Sequence, residues 1–517
     1  MSDALNLQDA PILVIGAGIM GAGIAQVAAQ SGHRVMLFDA RKGAGAQAKD
    51  KVATTLQGLA AKGRMTSEAA RETVARVVPV ASLAEVREAG VAIEAIVENL
   101  EVKRSLLREL EAGMDERCVL ASNTSSISIT ALANGLAHPG RLVGMHFFNP
   151  VPLMKLVEVV SGLHTDPAVA HAIFDLAKRW GKVPVHARST PGFIVNRIAR
   201  PFYAETLALL NERAGEPSVI DACMRGAGFR MGPCELMDLI GHDTNFAVTQ
   251  SVYDANFGDK RYSPSLVQRE LVEGGWLGRK SGRGFYRYDA GSGPEIASAD
   301  VSTAALPSAT RIVLHGDGVA VERWASALSA AGRGFERASR PTWCGLEADG
   351  GQLRLTDGRP AALIAVRENA RELALFDLPA ATGGGAQGTA LAWTASATAS
   401  VEWQQKTAAW LAAAGWTPQR VVDTPGLVVA RTIAMLINEA CDAVLQGVCD
   451  PEAADAAMKL GVNYPQGPFE WLANWDACEV VRVLDHLDNH YRGERYRVSL
   501  DLRRRAWEQE GRSTRSR

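Results

Sequence analysis

Polar side chains that could carry out chemistry are concentrated in residues 123–158, a stretch that is otherwise largely apolar. It holds the hydroxyl group of Ser125, the imidazole of His146, the amide of Asn149 and the carboxylate of Glu158. Histidine exchanges protons near neutral pH, and a carboxylate can hold its tautomer and stabilise its charged form. Hydroxyl and amide donors can hold a substrate oxygen. The composition therefore predicts a site of proton transfer.

A glycine-rich loop near the N-terminus predicts a dinucleotide site. The apolar run Pro11–Ile15 is typical of a buried parallel strand, and it leads into Gly-Ala-Gly-Ile-Met-Gly at residues 16–21. A helical stretch, a second strand and Asp39 follow. The glycines let a pyrophosphate approach the backbone and the helix N-terminus, and the Asp39 carboxylate can accept hydrogen bonds from the adenosine ribose. NAD is favoured over NADP, a preference weakened by the basic residues Arg41 and Lys42.

Further polar residues follow the next predicted strands, at residues 91–98 and 118–121. Ligands of open parallel sheets bind beyond the carboxyl ends of the strands, so Glu98 and Ser125 should line the same crevice as the glycine loop. Two prolines after His146 predict a rigid turn that places the histidine at a strand end. Proton abstraction from an alcohol beside a dinucleotide indicates a dehydrogenase.

One motif occurs twice in the chain. Thr-Pro-Gly-Phe-Ile-Val-Asn-Arg at residues 190–197 returns as Thr-Pro-Gly-Leu-Val-Val-Ala-Arg at residues 424–431, and the similarity continues through the helical sequence that follows each. The pattern predicts a duplicated helical domain. Asn196, a predicted donor to the substrate oxygen, is replaced by Ala430, so that role belongs to the first copy.

The segment between the two copies is predicted to be a Rossmann-like α/β insert without cofactor. It contains no glycine-loop fingerprint, and residues 380–400 have low complexity. Its predicted elements are strands at residues 311–314, 361–366, 373–378 and 389–393 and a helix at about residues 401–414.

The sequence thus predicts an α/β protein of four domains. They are a Rossmann NAD-binding domain (1–188), an all-α helical domain (189–289), the insert (290–421) and a second, non-catalytic helical copy (422–517). Because Asn196 falls in the second of these domains, we expect the site to be interdomain.

Composition excludes several classes of protein. The net charge of −2 provides no global field toward nucleic acid or an anionic membrane. The seven scattered cysteines form no Cys-x-x-Cys pair, so neither a disulfide framework nor a metal site is predicted. Neither a secretory signal nor an apolar run of roughly 18 residues is present, which favours a cytoplasmic enzyme.

The stretches VIGAGIMGAGIA, VEN, ASNTSS, GMHFFNPVPLMKLVEVV and TPGFIVNR, in this order and spacing, resemble the 3-hydroxyacyl-CoA dehydrogenase family. The resemblance implies oxidation of an (S)-3-hydroxyacyl-CoA to the 3-oxoacyl-CoA with NAD. By motif match, His146 would be the general base and Glu158 its partner. Ser125 and Asn196 would contact the substrate oxygen.

The resemblance also implies contacts to cofactor and substrate. Thr55 and Lys62 match positions that contact coenzyme A, although a serine is usual where Thr55 stands. The residues that match NAD contacts are Gly16, Ala17, Gly18, Ile19, Met20, Gly21, Asp39, Glu98, Lys103, Ser125, Asn149 and Lys280.

The tandem arrangement resembles the longer bacterial members, which act on 3-hydroxyadipyl-CoA in phenylacetate breakdown, and is similar in plan to enzymes that act on 3-hydroxybutyryl-CoA. The residues alone do not separate a dicarboxylic acyl tail from a short neutral one. A non-catalytic NAD-binding protein and a dehydrogenase of non-CoA hydroxy acids also remain open. The helical domain forms the dimer interface in shorter members, so we expect either a homodimer or a monomer with an internal pseudo-dimer of helical domains.

Overall fold

The computed structural model describes residues 5–288, 306–379 and 388–515. The predicted boundary at residue 290 and the part of the low-complexity stretch from residue 380 to 387 lie outside the described residues. The strands of the described part are β1 (Ile12–Ile15), β2 (Val35–Phe38), β3 (Val77–Pro79), β4 (Val91–Glu94), β5 (Val119–Ser122), β6 (Leu142–Phe147), β7 (Leu156–Ser161), β8 (Val183–Arg188), β9 (Ile312–His315), β10 (Glu336–Arg337), β11 (Gly345–Ala348), β12 (Gly351–Leu355), β13 (Leu373–Phe376), β14 (Thr389–Ala395) and β15 (Trp416–Arg420).

The α-helices of the described part are α1 (Ile19–Gln30), α2 (Ala44–Ala61), α3 (Ser67–Arg76), α4 (Leu100–Gly113), α5 (Ile129–Ala133), α6 (Pro167–Arg179), α7 (Val195–Ile198), α8 (Arg200–Asn211), α9 (Pro217–Gly226), α10 (Pro233–Ile240), α11 (His242–Ala255), α12 (Leu266–Glu273), α13 (Val319–Ala330), α14 (Ala361–Arg367), α15 (Val401–Ala413), α16 (Val429–Leu445), α17 (Pro451–Gly461), α18 (Pro468–Asn474), α19 (Ala477–Tyr491) and α20 (Leu500–Arg515).

The chain forms two compact units that do not follow the sequence order of the predicted domains. The first consists of Met1–Arg197 and Gln446–Val462, and the second of Ile198–Leu445 and Asn463–Arg517. The segment Gln446–Val462 comes from the second helical copy, and its helix α17 packs against β7 and β8. Asn196 belongs to the first unit, whereas the sequence placed it in the following helical domain.

The first unit is built on an eight-stranded sheet, which confirms the predicted Rossmann domain. Its strand order is β3-β2-β1-β4-β5-β6-β7-β8, and every neighbouring pair is parallel except β6 with β7. Strands β1, β4 and β5 are wholly buried, as expected for a parallel sheet whose faces are both covered. Strands β3 and β8 were not predicted, and β4 ends at Glu94, four residues before the predicted end.

The turn between β1 and α1 depends on glycine at two positions. Gly16 has a φ of +101°, and a Cβ there would lie 2.5 Å from the carbonyl oxygen of Ala95. A Cβ on Gly21 would lie 1.7 Å from the carbonyl oxygen of Gly16, so α1 can cross the loop closely only without a side chain. A Cβ on Gly18, in contrast, would meet nothing within 4 Å.

We expect Gly21→Ala to destabilise the cofactor-free protein by about 1–3 kcal/mol, because α1 must move away from the Gly16 carbonyl. Gly18→Ala is the matched control, since Gly18 has a φ of −72° that alanine adopts readily. The midpoints of thermal unfolding measured without NAD compare the two variants. Equal midpoints would contradict the close approach of α1 to Gly16.

The second unit contains a seven-stranded sheet in the order β10-β9-β11-β12-β13-β14-β15. It confirms the predicted Rossmann-like insert, but residues 361–366, predicted as a strand, begin helix α14. A short apolar run such as residues 361–366 does not by itself distinguish a strand from a helix. In the structure its buried residues are Ala361, Ile364 and Ala365, which have the spacing of one helix face. A Gly-Asp-Gly turn at residues 316–318 links β9 to α13, and it lacks the third glycine of the fingerprint.

The two helical copies contact each other within the second unit through reciprocal hydrogen bonds. Glu205 of the first copy accepts from Arg495 at 2.8 Å and from the Tyr496 hydroxyl at 3.0 Å, both in the second copy. Glu439, the counterpart of Glu205, accepts from Arg261 at 3.1 Å and from the hydroxyl of the adjacent Tyr262 at 2.6 Å, both in the first copy. The contact is therefore isologous, like the interface of a two-fold dimer.

Candidate active site

His146 and Glu158 face each other on neighbouring strands. They are directly opposed in the antiparallel pairing of β6 with β7. The imidazole Nδ1 lies 2.5 Å from Glu158 Oε2, and the two residues are 6% and 0% exposed. The rings of Phe148 and Phe193 lie 4.6 and 5.8 Å from the imidazole, measured between ring centroids. His146 was predicted at a strand end, and it is the second-to-last residue of β6.

The second oxygen of Glu158 binds the start of α7. Oε1 accepts the backbone N–H groups of Ile194 and Val195 at 2.9 and 3.0 Å. One oxygen of this buried carboxylate thus contacts the imidazole nitrogen, and the other accepts hydrogen bonds from a helix N-terminus. Asn196, half-buried, is the next residue of the same helix. The fold therefore attaches the segment carrying Asn196 to the partner of His146.

A second carboxylate, Glu98, organises the segment that carries Ser125. Glu98 Oε1 accepts from Thr124 Oγ1 at 2.6 Å, from the N–H of Ser125 at 3.0 Å and from Ser126 Oγ at 3.0 Å. Partial burial would raise the pKa of Glu98, but the Thr124 hydrogen bond, Lys103 and the two serines outweigh it and hold that pKa below its usual value. Glu98 is therefore held as a carboxylate.

Lys103 lies beneath this cluster in a buried ion pair that the sequence did not predict. Its Nζ donates to both oxygens of Glu94 at 2.8 Å and lies 3.4 Å from Glu98 Oε2, and its side chain is 1% exposed. Ser122 Oγ also donates to Glu94. The only signal in the sequence was an acidic residue within the apolar strand β4. The positive charge of Lys103 thus stabilises the carboxylate of Glu98.

The glycine loop and Asp39 form a cradle that fits NAD. Asp39 Oδ2 accepts the N–H of Ala17 at 2.8 Å, so the acidic residue is joined to the loop. Burial would raise the pKa of Asp39, but hydrogen bonds from Arg41 and Ala17 outweigh it and lower that pKa. The space in front of Gly18 is open and no side chain caps α1, which leaves its first N–H groups available to a pyrophosphate.

The remaining predicted site residues lie on exposed positions. Asn149 follows β6, and Thr55 and Lys62 lie on the exposed side and at the end of α2. Lys280 belongs to the second unit, where it forms an ion pair with Asp243. Asn123, the first residue of the predicted polar stretch, joins two strand ends, since its Oδ1 accepts the N–H of Phe147 at 2.8 Å.

The second unit contains a counterpart of this arrangement without histidine. Strands β12 to β15 of the second sheet pair in the same way as β5 to β8 of the first: the outer pairs are parallel and the middle pair is antiparallel. Strand β13 therefore corresponds to β6, and Asp377, which follows β13, occupies the position of His146. Ala392 stands opposite Asp377, as Glu158 stands opposite His146. Asp377 accepts the N–H groups at the start of α16, including that of Ala430 at 2.9 Å.

Family models match most of the described chain, the main exception being residues 306–352. The NAD-binding domain of 3-hydroxyacyl-CoA dehydrogenase matches residues 11–190, and the C-terminal domain of that family matches residues 192–288 and again 426–517. The reduced Rossmann-fold domain of 3-hydroxybutyryl-CoA dehydrogenase matches residues 353–425. The chain belongs to the 3-hydroxyacyl-CoA dehydrogenase family. It is an NAD-dependent enzyme, and its substrate is an acyl-CoA.

Relatives of both the long and the short form are similar to this dehydrogenase. A 3-hydroxyadipyl-CoA dehydrogenase of Escherichia coli K12 is 42% identical over 503 residues, 97% of this chain and 98% of that protein. A probable 3-hydroxybutyryl-CoA dehydrogenase of Deinococcus radiodurans is 42% identical over 276 residues, 53% of this chain and 99% of that protein. The crystal structure of a 3-hydroxybutyryl-CoA dehydrogenase of Escherichia coli K12 has a TM-score of 0.87 at 40% identity, covering 97% of this chain and 99% of that one.

The described residues contain neither a membrane-spanning helix nor a metal centre. None of the helices described is both long and apolar enough to cross a bilayer. Within the same residues, no group of three or more histidine, cysteine or acidic side chains could hold a metal ion.

We expect Lys103→Met to destabilise the enzyme by about 3–5 kcal/mol, because it leaves the Glu94 carboxylate buried without its cation. Lys51→Met is the control, since Lys51 is exposed on helix α2 of the same unit. Thermal unfolding without NAD measures the difference. Unfolding of Lys103→Met at the wild-type temperature would show that Glu94 does not depend on this ion pair.

Proposed function

We propose that the enzyme oxidises an (S)-3-hydroxyacyl-CoA to the 3-oxoacyl-CoA with His146 as the general base. The observation that supports this assignment is the shared carboxylate of Glu158, which contacts the His146 ring and also the helix start that precedes Asn196. The same carboxylate orients the base and the segment of a substrate-binding amide.

In the proposed reaction, His146 Nε2 removes the proton from the C3 hydroxyl group. Glu158 holds the proton on Nδ1, so Nε2 is free to accept, and it stabilises the imidazolium that forms. Asn196 and Ser125 hold the substrate oxygen as it becomes a carbonyl oxygen. Bound NAD supplies the acceptor for the hydride that leaves C3. Phe148 and Phe193 beside the imidazole limit the access of water to the base.

The cofactor contacts are proposed from the cradle in the first unit. The loop of residues 16–21 would receive the pyrophosphate, and Asp39 the adenosine ribose. Glu98, Ser125 and Asn149 would lie along the nicotinamide half, and the family resemblance assigns a further NAD contact to Lys280. Lys103 is buried, so we assign it a positioning role through Glu98.

The second helical copy is proposed to be non-catalytic, and its role to be structural. Asp377 and Ala392 stand where a base and its partner would be needed, and Ala430 replaces the substrate-binding amide. The reciprocal bonds of Glu205 and Glu439 support an internal pseudo-dimer of helical domains in place of an interface between chains.

As substrate we propose 3-hydroxyadipyl-CoA, an intermediate of phenylacetate breakdown, with Thr55 and Lys62 as contacts of the coenzyme A moiety. The relative with that name matches along almost the full length of both chains. The crystal structure that also matches at full length is that of a 3-hydroxybutyryl-CoA dehydrogenase, so this short neutral substrate is the second candidate.

We expect His146→Gln to lower kcat on the order of 10² to 10⁴ while NAD still binds, because glutamine fills the space but cannot take up the proton. His138→Gln is the matched control, since His138 is exposed in the same region of the chain. Steady-state NADH formation and a fluorescence titration with NAD measure the two quantities. Turnover of His146→Gln close to that of the control would remove His146 from the role of base.

We expect kcat/KM for 3-hydroxyadipyl-CoA to exceed that for 3-hydroxybutyryl-CoA at least 10-fold. An acyl tail whose terminal carboxylate is bound gains charge-assisted hydrogen bonds that a neutral tail lacks. A panel of both thioesters, assayed by NADH formation at constant ionic strength, gives the ratio. A ratio below one would favour the short neutral substrate.

A further inference from the structure

Lys182, the residue before β8, is a buried lysine that binds backbone carbonyl groups. Its Nζ donates to the carbonyl oxygens of Val151 and, at 2.8 Å, of Met154. Burial lowers the pKa of Lys182 to about 8, because the ammonium group loses water and no carboxylate among the described residues offsets that loss. The ammonium group is therefore held by two carbonyl dipoles of one short segment.

That segment, residues 148–154, is the loop that leaves β6 after the histidine, and we call it the post-β6 loop. Strand β7 runs antiparallel to β6 and parallel to β8, so the start of β8 lies at the same sheet edge as the end of β6. Open parallel sheets bind their ligands at this edge. The loop carries Asn149 and also Phe148, whose ring centroid lies 4.6 Å from that of His146. Lys182 is therefore attached to a loop of the active-site edge.

The post-β6 loop also approaches α1, the helix that begins at the glycine loop. A Cβ on Gly23 would lie 2.9 Å from the Cβ of Val151, and Val151 is 2% exposed. The side chain of Val151 therefore faces α1, while its carbonyl group accepts a hydrogen bond from Lys182. Loss of that hydrogen bond would disturb the contact of the loop with the cofactor helix, because buried side chains pack without spare volume.

The internal duplication shows that the turn before β8 forms without a lysine. Gly181 and Gly415 stand at the offset that relates the two Thr-Pro-Gly motifs, and each follows a helix and has a positive φ, of +71° and +87°. The next residue is Lys182 in the first copy and Trp416 in the insert, where it is buried in the core. Of the two, the insert lacks the glycine fingerprint of a dinucleotide site. The backbone of this turn therefore does not explain the lysine, whereas its hydrogen bonds to the post-β6 loop do.

We propose that Lys182 is a positioning residue for the binding of NAD. It holds the post-β6 loop so that Asn149 reaches the cofactor and Phe148 stays beside the imidazole. This role rests on the cofactor contact proposed for Asn149. It is independent of the choice of acyl substrate, and every group that it uses belongs to the first unit.

The test compares Lys182→Met with Lys182→Arg and with two control variants. Methionine donates no hydrogen bond, and arginine restores a charged donor. Arg141 is the matched buried cation: it precedes β6, at the opposite edge of the sheet, and donates to the carbonyl oxygens of Asp115 at 2.9 Å and Glu111 at 3.1 Å. Lys178 is exposed near the end of α6, so Lys178→Met controls for the loss of a positive charge. If Lys182→Met does not fold, Lys182→Gln, which keeps a neutral donor, is measured in its place.

Calorimetric titration with NAD gives Kd, steady-state turnover gives kcat and KM, and thermal unfolding shows that each full-length variant is folded. We expect Lys182→Met to raise Kd and KM for NAD on the order of 10-fold, the equivalent of one lost hydrogen bond. KM for the acyl-CoA thioester changes less than about 3-fold. Lys182→Arg recovers part of the NAD affinity. Arg141→Met lowers the unfolding midpoint but binds NAD as the wild type does, and Lys178→Met changes neither property.

Asn149→Ala shows whether the effect of the lysine passes through the loop. In a chain that already lacks this amide, we expect Lys182→Met to weaken NAD binding less than about 3-fold further. Normal NAD binding by folded Lys182→Met beside weakened binding by Asn149→Ala would overturn the role of the lysine alone, and so would an equal loss of affinity in Arg141→Met. Normal binding by Asn149→Ala would instead remove the proposed cofactor contact on which the role rests. The titration needs no turnover, so it decides the proposal whichever acyl-CoA is the substrate.

Discussion

The active-site geometry depends on the burial of one carboxylate. Glu158 is fully buried, and a charged group in that position must have all its acceptor sites satisfied. Nδ1 of His146 meets one oxygen and two backbone N–H groups meet the other. Any movement of the Thr-Pro-Gly turn or of the imidazole would leave part of the charge without partners. The penalty for an unsatisfied carboxylate therefore couples the position of the His146 imidazole to the position of the segment that carries Asn196.

Much of this arrangement was predictable because it follows local rules. A buried strand that runs into glycines and a helix indicates a dinucleotide fold, and Glu158 is the one acidic residue of the polar stretch 123–158 that also holds His146. The Gly21 requirement follows from the same motif. Long-range pairing does not follow from such rules. The ion pair of Lys103 with Glu94, the placement of Asn196 in the first unit and the return of α17 to that unit all depend on contacts between distant segments, which leave no periodic signal in the sequence.

In the insert, two sequence patterns do not lead to the structure or the binding function that they usually indicate. Residues 361–366 are apolar enough for either a strand or a helix, and the fold chooses a helix because three of them can be buried on one side of α14. The Gly-Asp-Gly turn after β9 keeps the path of a dinucleotide loop, but Val321 stands three positions after Gly318, where Gly21 stands three positions after Gly18. A valine cannot allow the close crossing that Gly21 allows, so a shared topology persists without the feature that binds a pyrophosphate.

The comparison of the two copies indicates which groups the fold itself requires. In both, a buried carboxylate receives the first N–H groups of the helix after the Thr-Pro-Gly turn, but Glu158 supplies it from β7 and Asp377 from the end of β13. The requirement conserved between the copies is a negative charge at that helix start, whichever strand provides it. Asp377 binds this helix start from the position that corresponds to His146, so the helix does not need a glutamate at the position of Ala392. The second copy therefore keeps the charged contact at its helix start without the histidine and the glutamate, and the reciprocal bonds of Glu205 and Glu439 join it to the first copy.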